Sequence, residues 1–518
     1  MARLEPASLA PGISLPKAAA LLSNRRLAVA VALGIALAAG LLTSFLAPRG
    51  PTTAANALLI MALAVLLGAA GGALARSRWI TLGVAAVYFL GTELGRLNIV
   101  GPALDVRFDN PYGIIAFVLT RGVHGVLLVP PLVFGVLVGL ALARWRGWSP
   151  SHTRRSRPVG SVIVGVIAAA LAILVAWPAS TPPVVGPDGE PAARGIAELT
   201  TVRLGGADQT VMIRALDPDK PVLLYLSGGP GQSDLAFARV LLEPLTEDFV
   251  VAVWDQRGSG TSYGALDPTS ALTLEQTVAD TAELSEYLRT RFGEQKIYLL
   301  GESWGTTLGV LAVRARPDLF HAYIGSGQMV SQRETDRIIW RDLLAFADRT
   351  GDGALYDQIL TLGEPPYRDT PWANSVVMGY YPLIETPYVP PVAYVERGNA
   401  AGIGPYGVLG SEYSFIDKVN VIRGLVDMFS LMYPQLQDID FRTDVTALEV
   451  PVYVLDGANE LRGRRDLALE WFDAMSAPHK ELITYEDAGH SVVFEEVDAF
   501  RRLMTESIVP ATYAGGTP

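Results

Sequence analysis

The sequence predicts a two-part chain: an all-α transmembrane region, followed by an α/β domain with a mostly parallel sheet and helices on both faces. Three observations predict this fold class. Long apolar runs crowd residues 1–178. From about residue 194 onward, short β-branched runs alternate with stretches of helical periodicity, which is typical of a parallel sheet covered by helices. Gly301-Glu302-Ser303-Trp304-Gly305 stands between a β-type run and a helix-type run, as a sharp strand-to-helix turn does.

Charge divides the chain at the same place. The 518 residues carry 41 Lys and Arg and 52 Asp and Glu, for a net charge of −11. Residues 1–178 hold fifteen of the bases and only four of the acids, so their balance is +11 and that of the remainder is −22. The acidic remainder argues against nucleic acid as a partner. The chain has no cysteine, which excludes disulfides and thiolate metal sites.

Five apolar stretches approach the roughly 20 residues that a helix needs to cross a bilayer. They are Leu27–Ala47, Asn56–Ala75, Trp79–Leu94, Val123–Ala143 and Val159–Trp177. The third is the shortest, and Glu93 lies near its end. We predict that the shorter run Gly113–Thr120 is interfacial or re-entrant. A lipid bilayer is therefore one predicted partner.

Arginines alternate between the predicted loops, and this alternation predicts the orientation of the spans. The loops predicted inside contain Arg25, Arg26, Arg76, Arg78, Arg144, Arg146, Arg154, Arg155 and Arg157. The loops predicted outside contain Arg49 alone, and then Arg96, Arg107 and Arg121 diluted by Asp105 and Asp109. We predict a multi-pass protein of the cell membrane with everything after Trp177 on the extracytoplasmic side. The first span also fits an export signal, because an Arg pair precedes its apolar run, and this gives the same orientation.

Proline, glycine and a change of pattern mark the predicted domain boundaries. After the membrane region 1–178, residues 179–193 are rich in Pro and Gly and are predicted to be a linker. The α/β core is predicted in two parts, 194–329 and 448–518. Between them, residues 330–447 show helices, prolines and aromatic residues in place of strands, which predicts an inserted helical cap.

Short runs with few charges predict the strands of the core. Val202–Leu204 and Thr210–Leu216 are predicted to form a hairpin. The parallel strands are predicted at Pro221–Ser227, Phe249–Asp255, Lys296–Leu300, His321–Gly325, Pro451–Asp456 and Glu481–Glu486. Helical periodicity covers Leu274–Phe292 and Trp304–Arg316. In such a sheet the functional groups lie at the carboxyl ends of the strands.

Ser303 is the candidate nucleophile, since the glycines around it let the backbone hold its Oγ clear of the sheet. A serine hydroxyl needs a base, and the base needs a carboxylate to hold its tautomer. His490 follows the last predicted strand, in the loop Asp487–Ser491, and is the candidate base. The other histidines have membrane, buried or solvated positions: His124, His152, His321 and His479.

The acid is expected in the loop after the strand Pro451–Asp456. Three residues after Gly457 stands Glu460, which is the candidate. Asp456 is the alternative acid. Asp466 is a more distant third, since its position is more typical of a charge at a helix N-terminus.

An acyl-transfer site also needs two backbone N–H donors for the oxyanion. Trp304, the residue after the nucleophile, supplies one at the start of a helix. We assign the second to Gly229, in the glycine-rich turn Ser227–Gly231. No Lys-Ser/Thr follows this turn, so it does not fit a nucleotide-binding loop. We predict no cofactor and no metal.

Four blocks of residues resemble the prolyl iminopeptidase (proline aminopeptidase) family of serine α/β-hydrolases. They are Gly228–Gly231, Asp255–Ser262, Ser303–Gly305 and Gly489-His490, in this order over about Val202–Met504. The resemblance implies an α/β-hydrolase fold with a helical cap over the site. It also implies a Ser-His-acid triad that releases an N-terminal residue, often proline, from peptides through an acyl-enzyme and without a metal.

The sequence departs from the family pattern at three positions. Ser227 stands where the family usually has histidine, Glu302 replaces a more frequent small residue, and Glu460 stands where aspartate is expected. The N-terminal spans are also absent from the soluble members. The resemblance therefore supports the fold, the nucleophile and the reaction class more than it supports a preference for proline.

Three functions fit these features. The first is a membrane-anchored aminopeptidase acting outside the cytoplasm, in which a cap carboxylate binds the free ammonium group of the substrate. The candidate carboxylates are Glu334, Glu385, Glu396 and Glu412. The runner-up is an esterase or lipase acting on membrane-proximal acyl substrates, which the aromatic cap and the anchor suggest. The third is a sensor or transporter that only binds a ligand. The predicted spans contain few charges beyond Glu93, so they give little sign of a path for an ion or a substrate. The partner is thus a peptide or a small acyl substrate; the oligomeric state is open.

Overall fold

A computed structural model describes residues 24–105, 108, 111–146, 148, 159–186 and 188–513. The chain divides into two compact units, Met1–Ile99 with Val118–Trp177, and Val100–Phe117 with Pro178–Pro518. Several residues used in the sequence analysis lie outside the described residues: Arg107, Asp109, His152, Arg154, Arg155 and Arg157.

The first unit is helical. The helices are α1 (Arg25–Leu46), α2 (Ala54–Ala75), α3 (Ile80–Gly95), α4 (Pro111–Trp145) and α5 (Val159–Ala176), and the part of α4 up to Phe117 belongs to the second unit. In the described part of the chain, four of them are long and apolar enough to cross a membrane, and α3, with 16 residues, is shorter. All five predicted apolar stretches are thus helices, but only four have the length of a span.

The run Gly113–Thr120, predicted to be interfacial or re-entrant, is helical, and its position relative to a membrane stays a prediction. This run lies inside α4, which continues from Pro111 to Trp145 with a π-helical turn at Val118–Gly122. Proline is well tolerated at the first helical position, and no proline follows it before Pro130, so nothing in the sequence ends the helix at residue 120.

Glycines let the helices of the first unit approach closely. A Cβ added to Gly72 of α2 would lie 2.4 Å from the carbonyl oxygen of Val136 in α4, and one added to Gly139 would lie 2.1 Å from that of Ala69. In α1 and α3, a Cβ on Gly40 would lie 2.1 Å from the carbonyl oxygen of Tyr88. Small residues at such contacts are the usual way in which apolar helices pack where lipid offers no hydrophobic driving force.

Several polar side chains inside the helical unit are paired. The Tyr88 hydroxyl donates to Thr43 Oγ1 at 3.1 Å and lies 3.1 Å from His124 Nε2. Arg121 donates to both carboxylate oxygens of Glu93, at 2.9 and 2.8 Å. Because an ionisable group in an apolar bundle is costly unless it is paired, these bonds lower the cost of placing Glu93 and Arg121 there.

An eight-stranded sheet forms the centre of the second unit. Its strands are β1 (Ile196–Leu204), β2 (Ala207–Ala215), β3 (Val222–Leu226), β4 (Val250–Trp254), β5 (Ile297–Glu302), β6 (Phe320–Ser326), β7 (Val452–Gly457) and β8 (Lys480–Tyr485). The spatial order is β1-β2-β4-β3-β5-β6-β7-β8. The β1–β2 and β2–β4 pairs are antiparallel, and all other neighbours are parallel. This is the predicted fold class, with the hairpin at one edge.

Helices cover both faces of this sheet. They are α6 (Leu235–Leu241), α7 (Leu274–Phe292), α8 (Trp304–Ala315), α9 (Gln332–Thr350), α10 (Gly353–Leu362), α11 (Thr370–Met378), α12 (Val392–Ala400), α13 (Phe415–Met432), α14 (Phe441–Asp444), α15 (Arg462–Ala474), α16 (Val492–Glu495), α17 (Val497–Leu503) and α18 (Val509–Thr512). Helices α9 to α14 lie between β6 and β7 in the chain.

The central strands are buried on both faces. Along β3, Val222, Leu224 and Leu226 belong to one hydrophobic cluster and Leu223 and Tyr225 to another, and all five are fully buried. Successive side chains of a strand point to opposite faces, so a strand covered on both sides needs an unbroken apolar run. This explains why the parallel strands can be recognised as runs with few charges.

Two segments that neighbour the spans in the chain pack within the second unit. The amide of Ala103 donates to Asp427 Oδ1 at 2.8 Å, and the ring of Tyr112 lies 6.2 Å from that of Trp372. After residue 178, the amide of Ser180 donates to the carbonyl oxygen of Ser411 at 2.8 Å. These contacts fix both segments against the residues between β6 and β7.

Candidate active site

Ser303 stands at a sharp turn between β5 and α8. Its φ of 51° and ψ of −119° lie outside the regions that most residues adopt, as expected for a strained functional turn. The flanking glycines are required by space. A Cβ on Gly301 would lie 2.5 Å from the carbonyl oxygen of Gly305, and one on Gly305 would lie 2.1 Å from that of Leu226. The turn leaves Ser303 partly exposed among buried neighbours.

Trp304 begins α8 directly after this turn. The first amides of a helix have no acceptor within the helix, so the Trp304 N–H is available to a ligand. The Trp304 indole Nε1 donates to Gln256 Oε1 at 2.8 Å, and Gln256 Nε2 donates to the carbonyl oxygen of Ser227 at 3.2 Å. Gln256 thus connects the helix start to the glycine-rich turn.

The glycine-rich turn follows β3 and lies against the serine. A Cβ on Gly228 would lie 3.4 Å from Ser303 Cβ and 2.6 Å from Glu302 Oε2. Gly229 has a φ of +115°, and the Gly229-Pro230 peptide bond is cis. On the other side, a Cβ on Gly231 would lie 2.7 Å from the carbonyl oxygen of Gly424 in α13. The turn is therefore held between Ser303 and a helix of the segment between β6 and β7.

Buried hydrogen bonds and an ion pair hold the Asp255–Ser262 run in place. The buried Asp255 accepts hydrogen bonds from the Thr261 amide and hydroxyl, both at 2.7 Å. Burial raises the pKa of Asp255 to about 7, although these hydrogen bonds lower it. Arg257 pairs with Asp280 at 2.9 Å, and both side chains are buried. These residues act as a scaffold around the site.

His490 and Glu460 are brought together. Glu460 Oε2 is hydrogen-bonded to His490 Nδ1, while Oε1 accepts from the Leu461 amide at 2.7 Å and from Arg464 Nη1 at 3.2 Å. Burial by itself would raise the pKa of Glu460, but the charges of His490 and Arg464 and the hydrogen bonds lower it to about 2. The carboxyl group is therefore ionised at neutral pH, as the partner of a histidine base needs to be.

The alternative acids have other partners. Arg465 donates to both oxygens of Asp456, the shortest contact being 2.8 Å, and Thr484 Oγ1 donates to it at 3.1 Å. Asp466 lies 3.6 Å from Arg462 and is half exposed. Of the three acids considered from the sequence, Glu460 is thus the one that contacts His490.

Residues at the end of β6 lie beside both Ser303 and His490. The amide of Ser303 donates to the carbonyl oxygen of Ser326 at 3.0 Å. The next residue, Gly327, has a φ of +60°, and a Cβ there would lie 2.9 Å from both Cε1 and Nδ1 of the His490 ring. A glycine is thus needed for the histidine ring to lie this close to the strand end.

The four cap glutamates have different surroundings. Glu334 pairs with Arg337 at 2.8 Å, Glu396 is exposed, and the fully buried Glu412 is paired with Arg239. Glu385 is partly buried, and burial raises its pKa, while the charge of Arg464 lowers it, that of Glu460 raises it and that of His490 lowers it. Of these four glutamates, Glu385 is thus the one whose pKa is influenced by His490, Glu460 and Arg464.

Aromatic residues of the same segment reach the site. The Tyr388 hydroxyl donates to Glu495 at 3.1 Å, and a Cβ on Gly489 would lie 2.3 Å from that hydroxyl oxygen. The guanidinium carbon of Arg464 lies 5.1 Å from the centre of the Tyr381 ring. Residues 381–388 therefore contact both the His490 loop and the arginine that pairs with Glu460.

Sequence reasoning did not assign roles to Gln256, Arg464 or Tyr388. Gln256 could have been singled out because it lies in the family-like run after β4. Arg464 and Tyr388 have no local signal, since they reach the site only through the fold. Among the described residues, no group of three or more His, Cys, Asp or Glu side chains is arranged to hold a metal ion.

Comparisons with known proteins indicate the α/β hydrolase fold. A model of the α/β hydrolase fold family matches residues 221–370. The chain is 25% identical over 315 residues to "Probable aminopeptidase YbaC" of Bacillus subtilis (strain 168), covering 61% of this chain and 97% of the relative. It is 24% identical over 292 residues to a proline iminopeptidase of Lactobacillus helveticus (strain DPC 4571), covering 56% and 90%.

Solved structures with a similar backbone include two whose names refer to the same activity. A proline iminopeptidase-related protein from Thermus thermophilus has 21% identity and a TM-score of 0.43, covering 61% of this chain and 98% of that one. A proline iminopeptidase of Mycobacterium smegmatis has 18% identity and a TM-score of 0.43, covering 62% and 100%. The sheet order and the family model show that the globular part of this chain has the α/β-hydrolase fold, and its sequence is similar to that of a probable aminopeptidase and of proline iminopeptidases.

Proposed function

We propose that this protein is a membrane-anchored serine aminopeptidase that releases N-terminal residues from peptides outside the cytoplasm. The observation that carries the proposal is the hydrogen-bonded His490–Glu460 pair beside the strand end that also binds the Ser303 amide. Nucleophile, base and acid come from β5, β8 and β7, at the carboxyl ends of parallel strands, where active groups of such sheets collect.

In the proposed reaction, Ser303 Oγ attacks the carbonyl carbon of the substrate's first residue. Its proton passes to His490 Nε2, since Nδ1 is bonded to Glu460. The ionised Glu460 stabilises the imidazolium that forms. The oxyanion accepts hydrogen bonds from the amides of Trp304 and Gly229, one at the start of α8 and one in the glycine-rich turn.

The intermediate then collapses to an acyl-enzyme. The C–N bond breaks, and His490 gives its proton to the leaving amine, so the shortened peptide departs neutral at its new N-terminus. Water next attacks the Ser303 ester, with His490 again taking and returning one proton. The products are a free amino acid and a peptide one residue shorter.

Glu385 is the residue that we assign to the substrate's ammonium group. It lies in the segment that contacts the His490 loop, and none of the described Lys or Arg residues forms an ion pair with it. Placing an ammonium ion there would supply the missing cation through charge-assisted hydrogen bonds. This would select peptides with a free N-terminus.

The solubilised full-length protein tests the reaction. With proline and alanine arylamides as substrates, we expect hydrolysis that Ser303→Ala lowers by about 10⁴-fold or more. A fluorophosphonate probe should label Ser303 in the native chain only. Arylamide hydrolysis that persists unchanged in Ser303→Ala would contradict the proposal.

An esterase remains the second candidate, because the segment near the site exposes apolar side chains. Val389, which follows Tyr388, is 83% exposed, and Val392, the first residue of α12, is 67% exposed. Such a surface suits acyl groups as well as peptides. Comparing kcat/KM for p-nitrophenyl esters and aminoacyl arylamides separates the two functions, and the esterase is favoured if only the esters are turned over.

A further inference from the structure

Glu302, the residue before Ser303, is a buried carboxyl group that the proposed reaction does not use. Its side chain is 4% exposed. Oε1 accepts a hydrogen bond from Ser491 Oγ at 3.1 Å, and Ser491 directly follows His490. Oε2 lies against Gly228, since a Cβ added to this glycine would be 2.6 Å from it. One carboxyl group therefore touches the loop that carries the base and the turn that faces the nucleophile.

The surroundings of Glu302 contain few positive charges. In the described part of the chain it forms no ion pair with lysine or arginine. Its pKa is influenced by His490, Asp234 and Arg464, and Glu302 in turn influences the pKa of Tyr225 and Tyr394. Burying a carboxylate without a paired cation is costly, so this environment favours the neutral acid.

A negative charge at this place would also oppose catalysis. The oxyanion of the proposed reaction forms between the glycine-rich turn and the start of α8, and Glu302 is adjacent to both. In a site shielded from water, a carboxylate a few ångströms away raises the energy of a forming oxyanion. A neutral carboxyl keeps the same contacts without this repulsion.

We propose that Glu302 is a positioning residue that, as a neutral acid, ties the His490 loop to the glycine-rich turn and keeps negative charge away from the oxyanion. The inference rests on the proposed function of Ser303 and His490. It assigns a role to a position at which the sequence departs from the small residue of its family.

The titration of Glu302 gives the sign of the expected pH dependence. Burial raises its pKa to about 7; the charge of His490 lowers it, Asp234 raises it, and the Ser491 hydrogen bond and Arg464 lower it. The neutral form therefore predominates below about pH 7 and the carboxylate above it. Activity that depends on the neutral form falls as the pH rises through this value.

The experiment measures the rate of Ser303 labelling by a fluorophosphonate, and kcat and KM for an arylamide, from about pH 5.5 to about pH 9. The native full-length protein should lose rate above about pH 7. Glu302→Gln cannot ionise, so the ratio of its rate at about pH 8.5 to that at about pH 6 should exceed the native ratio by about fivefold, with KM little changed. Glu294→Gln is the matched control, because Glu294 is partly buried and accepts from Tyr513 at 3.2 Å.

A second variant tests the same idea without removing the carboxyl group. The Ser491 hydroxyl stabilises the ionised form, so Ser491→Ala should move the alkaline loss of rate to higher pH. It should also lower the plateau, because the His490 loop loses a contact. If the Glu302→Gln variant unfolds below the assay temperature, the pH profile of Ser491→Ala alone tests the role of Glu302.

Each result has a distinct meaning. Superimposable pH profiles for the native chain and both variants, with Ser303 labelled, would overturn the role of Glu302 and leave the serine hydrolase intact. A native chain that is unlabelled at Ser303 at every pH would instead refute the proposed function. A plain structural role would lower all rates equally and leave the alkaline limb in place, which would also overturn the inference.

Discussion

Glu460 shows how a single side chain is held for one task. Both of its oxygens have partners, one being His490 and the other the pair of the Leu461 amide and Arg464. The guanidinium of Arg464 balances the buried charge, and it also faces the ring of Tyr381. These contacts hold the Glu460 carboxylate in the orientation in which it binds His490. Without Arg464, the buried negative charge of Glu460 would lack a neighbouring cation other than His490.

Glu385→Gln should weaken binding of substrates with a free ammonium group. We expect KM for alanine arylamide to rise by about tenfold or more, since a hydrogen bond to a charged partner loses its charge, while kcat changes little. A p-nitrophenyl ester without an amine should be hydrolysed as before. Glu396→Gln, an exposed carboxyl on α12, serves as the control.

The two substrates make this prediction specific. An equal loss on arylamide and ester would indicate that Glu385 shapes the cap rather than binds the amine. No change on either substrate would remove Glu385 from the site.

At the scale of elements, the site consists of strand ends joined by close turns. The elbow after β5, the turn after β3 and the end of β6 approach each other so closely that glycines occupy the contact points. The positions of Ser303 and His490 thus depend on close backbone contacts.

Gly327→Ala tests this dependence at the end of β6. The added Cβ meets the His490 ring at 2.9 Å, so we expect the base to move and kcat/KM to fall by about 100-fold. Gly351→Ala is the matched control: its φ of +71° is similar, but nothing lies within 4 Å of the added Cβ. Both variants should lose about 1–2 kcal/mol of unfolding free energy from the left-handed backbone.

Thermal melting and Ser303 labelling measure the two effects separately. Equal activity losses in Gly327→Ala and Gly351→Ala would show that backbone strain, and not the position of His490, is responsible.

The parallel strands were predictable to within a few residues because burial on both faces demands apolar runs. The edge strand β1 begins at Ile196, well before the predicted Val202, because its side chains are mostly only partly buried. Ser303 and His490 could be singled out from the sequence because short motifs at strand ends carry them, and their catalytic roles stay predictions. The choice between Glu460 and Asp456 was open in the sequence, since they are four residues apart at the end of β7; in the structure Glu460 contacts His490, whereas Asp456 pairs with Arg465. Gln256, Arg464 and Tyr388 reach the site over long sequence separations, which no local pattern encodes.

At the scale of the whole molecule, helices suited to a bilayer and a hydrolase are joined in one chain. Close glycine contacts and paired polar groups organise the helical unit, and a covered parallel sheet organises the globular one. The four helices with the length of a span support membrane insertion, and the arginine pattern supports the extracytoplasmic side for the hydrolase.

The absence of cysteine from the sequence makes this orientation directly testable. Glu190→Cys places a lone thiol at an exposed position after α5, and Ser77→Cys places one between α2 and α3. In intact cells, a membrane-impermeant maleimide should label position 190 and spare position 77 until the cells are opened. Labelling of position 77 alone would reverse the proposed orientation.

The segment Val100–Phe117 decides how the hydrolase can be separated from its anchor. Its residues pack on the globular unit, where Ala103 binds Asp427, Tyr112 meets Trp372, and Ala103 and Leu104 are buried. A chain cut at Pro178 would lose this piece and uncover the surfaces beneath it. A soluble enzyme would therefore need residues 100–117 supplied again, for example as a peptide added in trans. Cleavage after α5 alone should not release an intact hydrolase, because residues 100–117 would stay with the helices that remain in the membrane.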